Sequence, residues 1–177
     1  EWLWRVTWHR GRAYGVSMQL DRSLNLVSSN DGLCYEQLCT LDVSGIPNET
    51  TLRFTANDEL IALVRREGDT KNAWIGRSEN PYLDWSWHET EYRVGGPNFI
   101  ILPNGDMWAA GRSYVGDQVT VLGRFGPERY EPVLTLPSGG DTSYPGMVWH
   151  QGVLWLSYYA SHEGKTSIYL AQIALPF

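Results

Sequence analysis

Apolar residues return along this chain in short, strand-length pulses, and the pulses come in pairs joined by polar or glycine-bearing turns, as in a β-meander. Val6-Thr7-Trp8-His9 is followed across Arg10-Gly11 by Ala13-Tyr14-Gly15-Val16. Leu52-Arg53-Phe54-Thr55 is followed across Ala56-Asn57-Asp58 by Leu60-Ile61-Ala62-Leu63. Phe99-Ile100-Ile101-Leu102 precedes Asn104-Gly105-Asp106 and Met107-Trp108-Ala109-Ala110, and Met147-Val148-Trp149-His150 precedes Gln151-Gly152 and Val153-Leu154-Trp155-Leu156. The strand centres Trp8, Phe54, Ile101 and Trp149 lie 46, 47 and 48 residues apart. A period of that length, built from strands, predicts propeller blades.

A third apolar strand follows in every copy, at 24–27, 73–76, 119–122 and 168–171, and a fourth follows in three of them, at Tyr35 to Leu41, Trp85 to Thr90 and Tyr130 to Leu136. Four-stranded antiparallel blades result, and the fold class predicted is an all-β propeller. The blades span approximately residues 3–44, 49–92, 96–137 and 142–177 of a single propeller or propeller fragment. The last of these is predicted to lack its outer strand, so the chain reads as four blades of a larger ring, most naturally six-bladed. An unpaired edge invites pairing, and the expectation is a homo-oligomer or a companion chain that completes the ring.

The composition fits this reading: 13% of residues are aromatic, with 9 Trp and 10 Tyr, as packed sheets favour. A net charge of -6 and a pI near 5.1 supply no basic stripe, which excludes nucleic acid as a partner on electrostatic grounds. No apolar run approaches the ~20 residues that span a bilayer as a helix, so no membrane association is expected. Cys34 and Cys39, five apart, suit neither a CxxC metal site nor a stapled scaffold and are read as free or buried thiols. Four scattered histidines offer no metal-ligand spacing and no glycine loop fits a phosphate, so neither metal nor cofactor is expected.

Antiparallel pairing puts the start of each innermost strand and the end of its neighbour at one rim. Five residues before each strand centre stand Leu3, Glu49, Gly96 and Tyr144, and eleven after Phe54 and Ile101 stand Arg65 and Arg112; the shorter hairpins put Met18 and Tyr159 there. Arg66 is the alternative to Arg65 if the register slips by one.

At these positions the chain resembles the sialidase (neuraminidase) superfamily of propeller glycoside hydrolases. The Asp-box (BNR) pattern S-x-D-x-G-x-x-[WYF] is echoed at Ser28-Ser29-Asn30-Asp31-Gly32-Leu33-Cys34-Tyr35, with Asn30 in place of the usual Asp, and more faintly at Ser78-Glu79-Asn80 before Trp85. Asn48-Glu49 leading to Arg65-Arg66 is similar to the segment that carries the family's catalytic glutamate and a substrate arginine. Asp141-Thr142-Ser143-Tyr144-Pro145-Gly146 resembles the one that carries its tyrosine nucleophile. The resemblance implies an exo-glycosidase acting on a terminal acidic sugar, a carbohydrate partner, Tyr144 as nucleophile with Glu49 as its base, and Arg65 and Arg112 as a carboxylate clamp. A neutral phenol suits a substrate whose carboxylate repels an anionic nucleophile.

The family's third arginine and its aspartate acid/base have no counterpart in this stretch. Unassisted departure of the glycosidic oxygen costs roughly 10²- to 10⁴-fold, so the chain alone is expected to be weakly active or inactive. Asp141 is read either as a substitute acid or substrate contact, or as the polar end of a Ser-Gly-Gly-Asp loop. Each of the other site residues has a plainer reading too: Glu49 as a loop carboxylate, the arginines as surface ions. A non-catalytic glycan- or protein-binding scaffold is therefore the alternative function. Trp8, Trp108, Trp149 and Trp155 are assigned to blade core and Trp85 and Trp87 to inter-blade packing. His162 and Glu163 fall in a hairpin loop on the same rim.

Overall fold

The computed structural model of the chain describes residues 1–175. Among these residues there are fifteen strands and no helix. The first sheet comprises β1 (Trp2–His9), β2 (Arg12–Met18), β3 (Leu24–Ser29) and β4 (Glu36–Leu41). The second comprises β5 (Pro47–Phe54), β6 (Leu60–Arg66), β7 (Trp74–Ser78) and β8 (Ser86–Glu89). The third is β9 (Gly95–Ile101), β10 (Met107–Ser113), β11 (Val119–Gly126) and β12 (Arg129–Thr135), and the fourth β13 (Thr142–His150), β14 (Val153–Ala160) and β15 (Ser167–Ile173). Strand order within each sheet follows chain order and every pair is antiparallel. The first strands of successive sheets, β1, β5, β9 and β13, pack side by side, which is the arrangement of a β-propeller.

The sheets are held together by three apolar layers, one between each consecutive pair. Strand β6 explains how a single strand serves two of them. Leu60, Ala62 and Val64 face the first sheet and join Val16, Leu24 and Leu26, while Ile61 and Leu63 face the third and join Phe99 and Ala109. A strand sandwiched on both faces has no polar face to show, hence the unbroken run Leu60-Ile61-Ala62-Leu63-Val64. The third layer sets Trp108, Ala110 and Leu122 against Leu154, Leu156 and Tyr158.

Trp85 and Trp87 stack at 5.2 Å and lie against the layer between the first two sheets. The Trp87 ring rests directly on Gly76, where a Cβ would overlap it. Gly76→Ala is therefore expected to destabilise the protein by about 1–3 kcal/mol. Gly126→Ala, with open space around it, is the control: equal urea midpoints for the two variants would refute the packing argument.

Trp108 is buried and Trp149 packs partly against the third layer, but the assignment of Trp8 to the core does not hold. Trp8 is 56% exposed, and Val6 is exposed beside it. Both belong to the face of β1 turned away from the second sheet, and strand alternation gives them the same side. The two cysteines are free, Cys34 exposed and Cys39 half-buried.

The turn between β3 and β4 is pinned one residue later than the sequence register places it. Ser29 Oγ donates to Asp31 at 2.8 Å and accepts from the Gly32 amide at 2.8 Å. Asp31 accepts the Leu33 and Cys34 amides at 2.8 and 2.9 Å, and these two bonds together with that from Ser29 bring its carboxyl down to about 2. Ser28, the expected first position, points the other way and is buried. In the second sheet the corresponding contact is Ser78 Oγ donating to the Asp84 carbonyl at 2.6 Å.

Candidate functional site

All four innermost strands begin with the same irregularity. Ladder pairing skips between Leu3 and Val6, between Pro47 and Thr50, between Gly95 and Asn98, and between Ser143 and Gly146. Bulges re-aim side chains that a regular strand would send into the neighbouring sheets. The residues so released are Trp4 and Arg5, Asn48 and Glu49, Gly96 and Pro97, and Tyr144 and Pro145, which gather at one rim.

Glu49 is the hub of this rim. It is 4% exposed and accepts three hydrogen bonds: from the Tyr144 hydroxyl at 2.8 Å, from Arg65 Nη1 at 2.7 Å and from the Gly96 amide at 3.0 Å. Burial together with the Glu49 hydrogen bond and charge raises the Tyr144 phenol above its ordinary value, against the lesser pull of Arg65 and Arg112. Arg65 is driven upward: burial opposes its charge, but the bonds to Glu49 and Glu67 outweigh that.

The Tyr144 backbone adopts φ +52, unusual for a side chain of this size. The segment is over-determined by its neighbours. Ser143 Oγ donates to the Gly95 carbonyl at 2.6 Å, and the Pro145 carbonyl receives Asn98 Nδ2 at 2.8 Å and Arg5 Nη2 at 3.1 Å. Gly96, at φ +56, is the surface on which Ser143 and Tyr144 rest: a Cβ there would come within 2.5 Å of Ser143 Oγ and 2.7 Å of the tyrosine ring. A strained tyrosine held in this way beside a buried carboxylate has the character of a functional position.

Arg65 and Arg112 are each surrounded by further polar partners. Arg65 also reaches Glu67 at 2.7 Å, and Glu67 in turn takes Arg93 at 2.6 Å. Arg112 donates to Asp141 at 2.5 Å, to the Tyr159 hydroxyl at 2.9 Å and to the Thr142 carbonyl at 2.6 Å. Tyr159 donates to Asp141 at 2.7 Å; burial and that carboxylate push its phenol up to about 12. The cluster thus holds four guanidiniums (Arg5, Arg65, Arg93, Arg112) against three carboxylates (Glu49, Glu67, Asp141), a balance that favours an anionic ligand.

Of the residues expected at the site, Tyr144, Glu49 and Arg65 are directly joined, and Arg112 with Asp141 adjoins them through Tyr159, whose ring stacks on Tyr144 at 5.8 Å. Arg66 goes elsewhere. Arg65 shares its face with Ile61 and Leu63, toward the third sheet, whereas Arg66 shares the opposite face with Ala62 and Val64. It is buried there, donating to the Ser44 carbonyl and to Thr70 and lying 4.5 Å over the Trp74 ring. Glu163 bonds Tyr169 at 2.8 Å and the His162 ring lies 5.1 Å from the same tyrosine, outside the cluster. A separate cleft of about 620 Å³, lined by Arg77, Asn80 and Trp85, lies apart from this chemistry.

Counting from strand centres missed Trp4, Arg5, Glu67, Arg93 and Tyr114, the last of which carries Arg93 on its ring at 3.6 Å. The count assigns the first copy Leu3, one residue short of its bulge. Only a count that allowed for the bulge would have reached Trp4 and Arg5. Among the described residues no group of three His, Cys, Asp or Glu is placed to hold a metal ion, and no helix is long and apolar enough to cross a membrane.

No family model matches the chain, and no curated protein matches it. Solved structures do. A Dyadobacter fermentans protein of unknown function aligns over 97% of this chain and 52% of its own length, with a TM-score of 0.84 at 17% identity. The Bacteroides ovatus xyloglucan PUL protein GH43B aligns over 97% of this chain and 38% of its own, with a TM-score of 0.73 at 13% identity. What the chain shares with them is the propeller fold. An endo-1,4-β-xylanase from Bacteroides thetaiotaomicron aligns over 97% of the chain and 68% of its own length, with a TM-score of 0.72 at 12% identity. The chain spans about half the length of the first of these structures and less of the second. At such identities the propeller is common ground and the site residues stand on their own chemistry.

Proposed function

We propose that this propeller carries a sialidase-like exo-glycosidase site for a terminal acidic sugar. The observation that carries the reading is the Tyr144 hydroxyl donating to the buried Glu49 carboxylate at 2.8 Å. A phenol with a raised pKa is a poor nucleophile alone; a carboxylate within hydrogen-bond reach takes its proton as the phenolic oxygen attacks the anomeric carbon and the bond to the aglycone oxygen breaks, that oxygen leaving with a proton from water. Arg65 steadies Glu49 in this role, and the excess of guanidinium on the rim answers the substrate carboxylate. Arg112 is the cationic partner for that group, held in place by its bonds to Asp141, Tyr159 and the Thr142 carbonyl. Arg66, buried on the opposite face, has no part in it.

The propeller neighbours include a GH43 protein and an endo-1,4-β-xylanase, which supports a carbohydrate ligand. The choice of an acidic sugar rests on the arginines and the neutral nucleophile. Turnover by the chain alone is expected to be modest, since Asp141 is engaged as an acceptor by Arg112 and Tyr159 and is not positioned as a free acid.

The test is hydrolysis of a fluorogenic sialoside at neutral pH. Release above background is expected, with Arg112→Ala raising KM about 10- to 100-fold, the range of a hydrogen bond to a charged group. Binding without release, indifferent to Tyr144→Phe, would instead establish a non-catalytic glycan-binding scaffold.

A further inference from the structure

The first sheet enters the site through Trp4 and Arg5, released by the bulge between Leu3 and Val6. The Trp4 ring stands 5.3 Å from Tyr144, tilted by 53°, and the Trp2 ring stands 5.1 Å from Trp4, nearly edge-on at 69°. With Tyr159 stacked on the far side of Tyr144, four aromatic rings run in unbroken contact along the rim. Aromatic contacts of this kind usually belong to a core, yet Trp2 is 42% exposed and Tyr144 40%. The open rings stand beside unsatisfied donors: Trp4 Nε1 and Arg5 Nε are buried with no hydrogen-bond partner. The Arg5 guanidinium lies 5.6 Å over the Trp4 ring.

An apolar ring surface flanked by unpaired N–H groups asks for a ligand with the same two characters. A pyranose has them: its axial C–H groups pack on an aromatic face while its hydroxyl and ring oxygens accept from N–H donors. Charge then says which part of a glycan sits where. Arg65 and Arg112 lie toward the third and fourth sheets, so the anionic terminal sugar belongs on that side of Tyr144. Trp4 and Trp2 extend from the other side, over the first sheet.

We propose that Trp2 and Trp4 form a platform for the neutral sugar to which the terminal residue is linked. The proposal rests on the reading of the Glu49–Tyr144 site given above and adds to it a preference for glycans over the isolated acidic sugar. Nucleic-acid bases gain about 1–3 kcal/mol by stacking on an aromatic side chain, a factor of about 5 to 150 in affinity, and a pyranose face is expected to gain about 10-fold, in the lower part of that range.

Calorimetric titration with sialyllactose and with free N-acetylneuraminic acid tests it. The wild-type protein is expected to bind sialyllactose about 10-fold more tightly than the free sugar. Trp2→Ala, at an exposed position that should not disturb folding, lowers that ratio severalfold. Trp4→Ala brings it to near one, and Trp4→Phe, which keeps an aromatic ring, restores part of it if Trp4→Ala proves unstable. Arg112→Ala weakens both ligands by the same factor. Equal affinities in the wild-type protein, or a Trp2→Ala ratio unchanged from wild type, overturn the platform alone. Failure of the wild-type protein to bind either ligand overturns the acidic-sugar site and the platform with it.

Discussion

Glu49→Ala is expected to destabilise the protein by about 3–5 kcal/mol, the cost of breaking a buried ion pair by removing one partner. The carboxylate side chain is 5% exposed and Arg65 18%, so water does little to replace the lost contact. Three donors lose their acceptor at once: Arg65, the Gly96 amide and the Tyr144 hydroxyl. Glu67 still neutralises Arg65 from the other side, which favours the lower end of the range. For a chain of this size such a loss lowers the thermal midpoint by roughly 6 to 20 °C. Glu49→Gln keeps the shape and one acceptor oxygen but loses the charge and turns the other oxygen into a donor, so its midpoint should fall, though less than that of Glu49→Ala. A melting curve for Glu49→Ala within 2 °C of wild type would mean that the hub is not a hub.

Tyr144→Phe separates chemistry from architecture. It removes one oxygen and one hydrogen bond to Glu49, and sialoside turnover should fall roughly 10²- to 10⁴-fold, the contribution expected of a positioned proton-transfer pair. Binding should persist, because the arginines are untouched. Steady-state kinetics combined with the binding titration decide it: equal loss of binding and turnover would make Tyr144 a substrate contact and nothing more.

The same variant has a pH signature. The folded state raises the Tyr144 pKa, first through burial and then through Glu49. The folded protein therefore holds that proton more tightly than the unfolded chain, whose tyrosine titrates near ~10. The resulting stability is intact below that value and is lost as pH rises from it through the folded pKa. Wild type should consequently lose more stability than Tyr144→Phe between pH 9 and 11, measured by thermal melts across that range.

The bonding pattern explains why some of this molecule is legible along the chain and some is not. The strand pairs around Trp8, Phe54, Ile101 and Trp149 are local, each closed by a turn of two or three residues, so spacing and hydropathy suffice to find them. Arg65 and Arg112 are found by counting outward from those turns, because alternation along a strand carries the face reliably. Arg66 fails by the same rule, one residue further and on the opposite face. Trp8 misleads because apolarity marks a sheet face without saying whether another sheet covers it. The turn at Asp31 slips by one because the register from Ser28 matches the glycine and the aromatic position while that from Ser29 matches only the aspartate, and the bonds show that the aspartate decides.

The sequence by itself determined the four-fold repetition, the antiparallel sheets and the rim on which Glu49, Tyr144, Arg65 and Arg112 lie, since all of these follow from periods of two and of about 47 residues. Only the tertiary structure decided which residues meet. Glu49 and Tyr144 stand 95 residues apart and Arg112 and Tyr159 stand 47 apart, and their contacts depend on how neighbouring sheets dock. The bulged segments that carry Arg5, Glu49 and Tyr144 are likewise held from other sheets, Tyr144 by packing against Gly96, Glu49 by the Gly96 amide and Arg5 by its bond to the Pro145 carbonyl. A one-residue bulge reverses the face of every side chain beyond it, and its position is set by partners that periodicity does not encode.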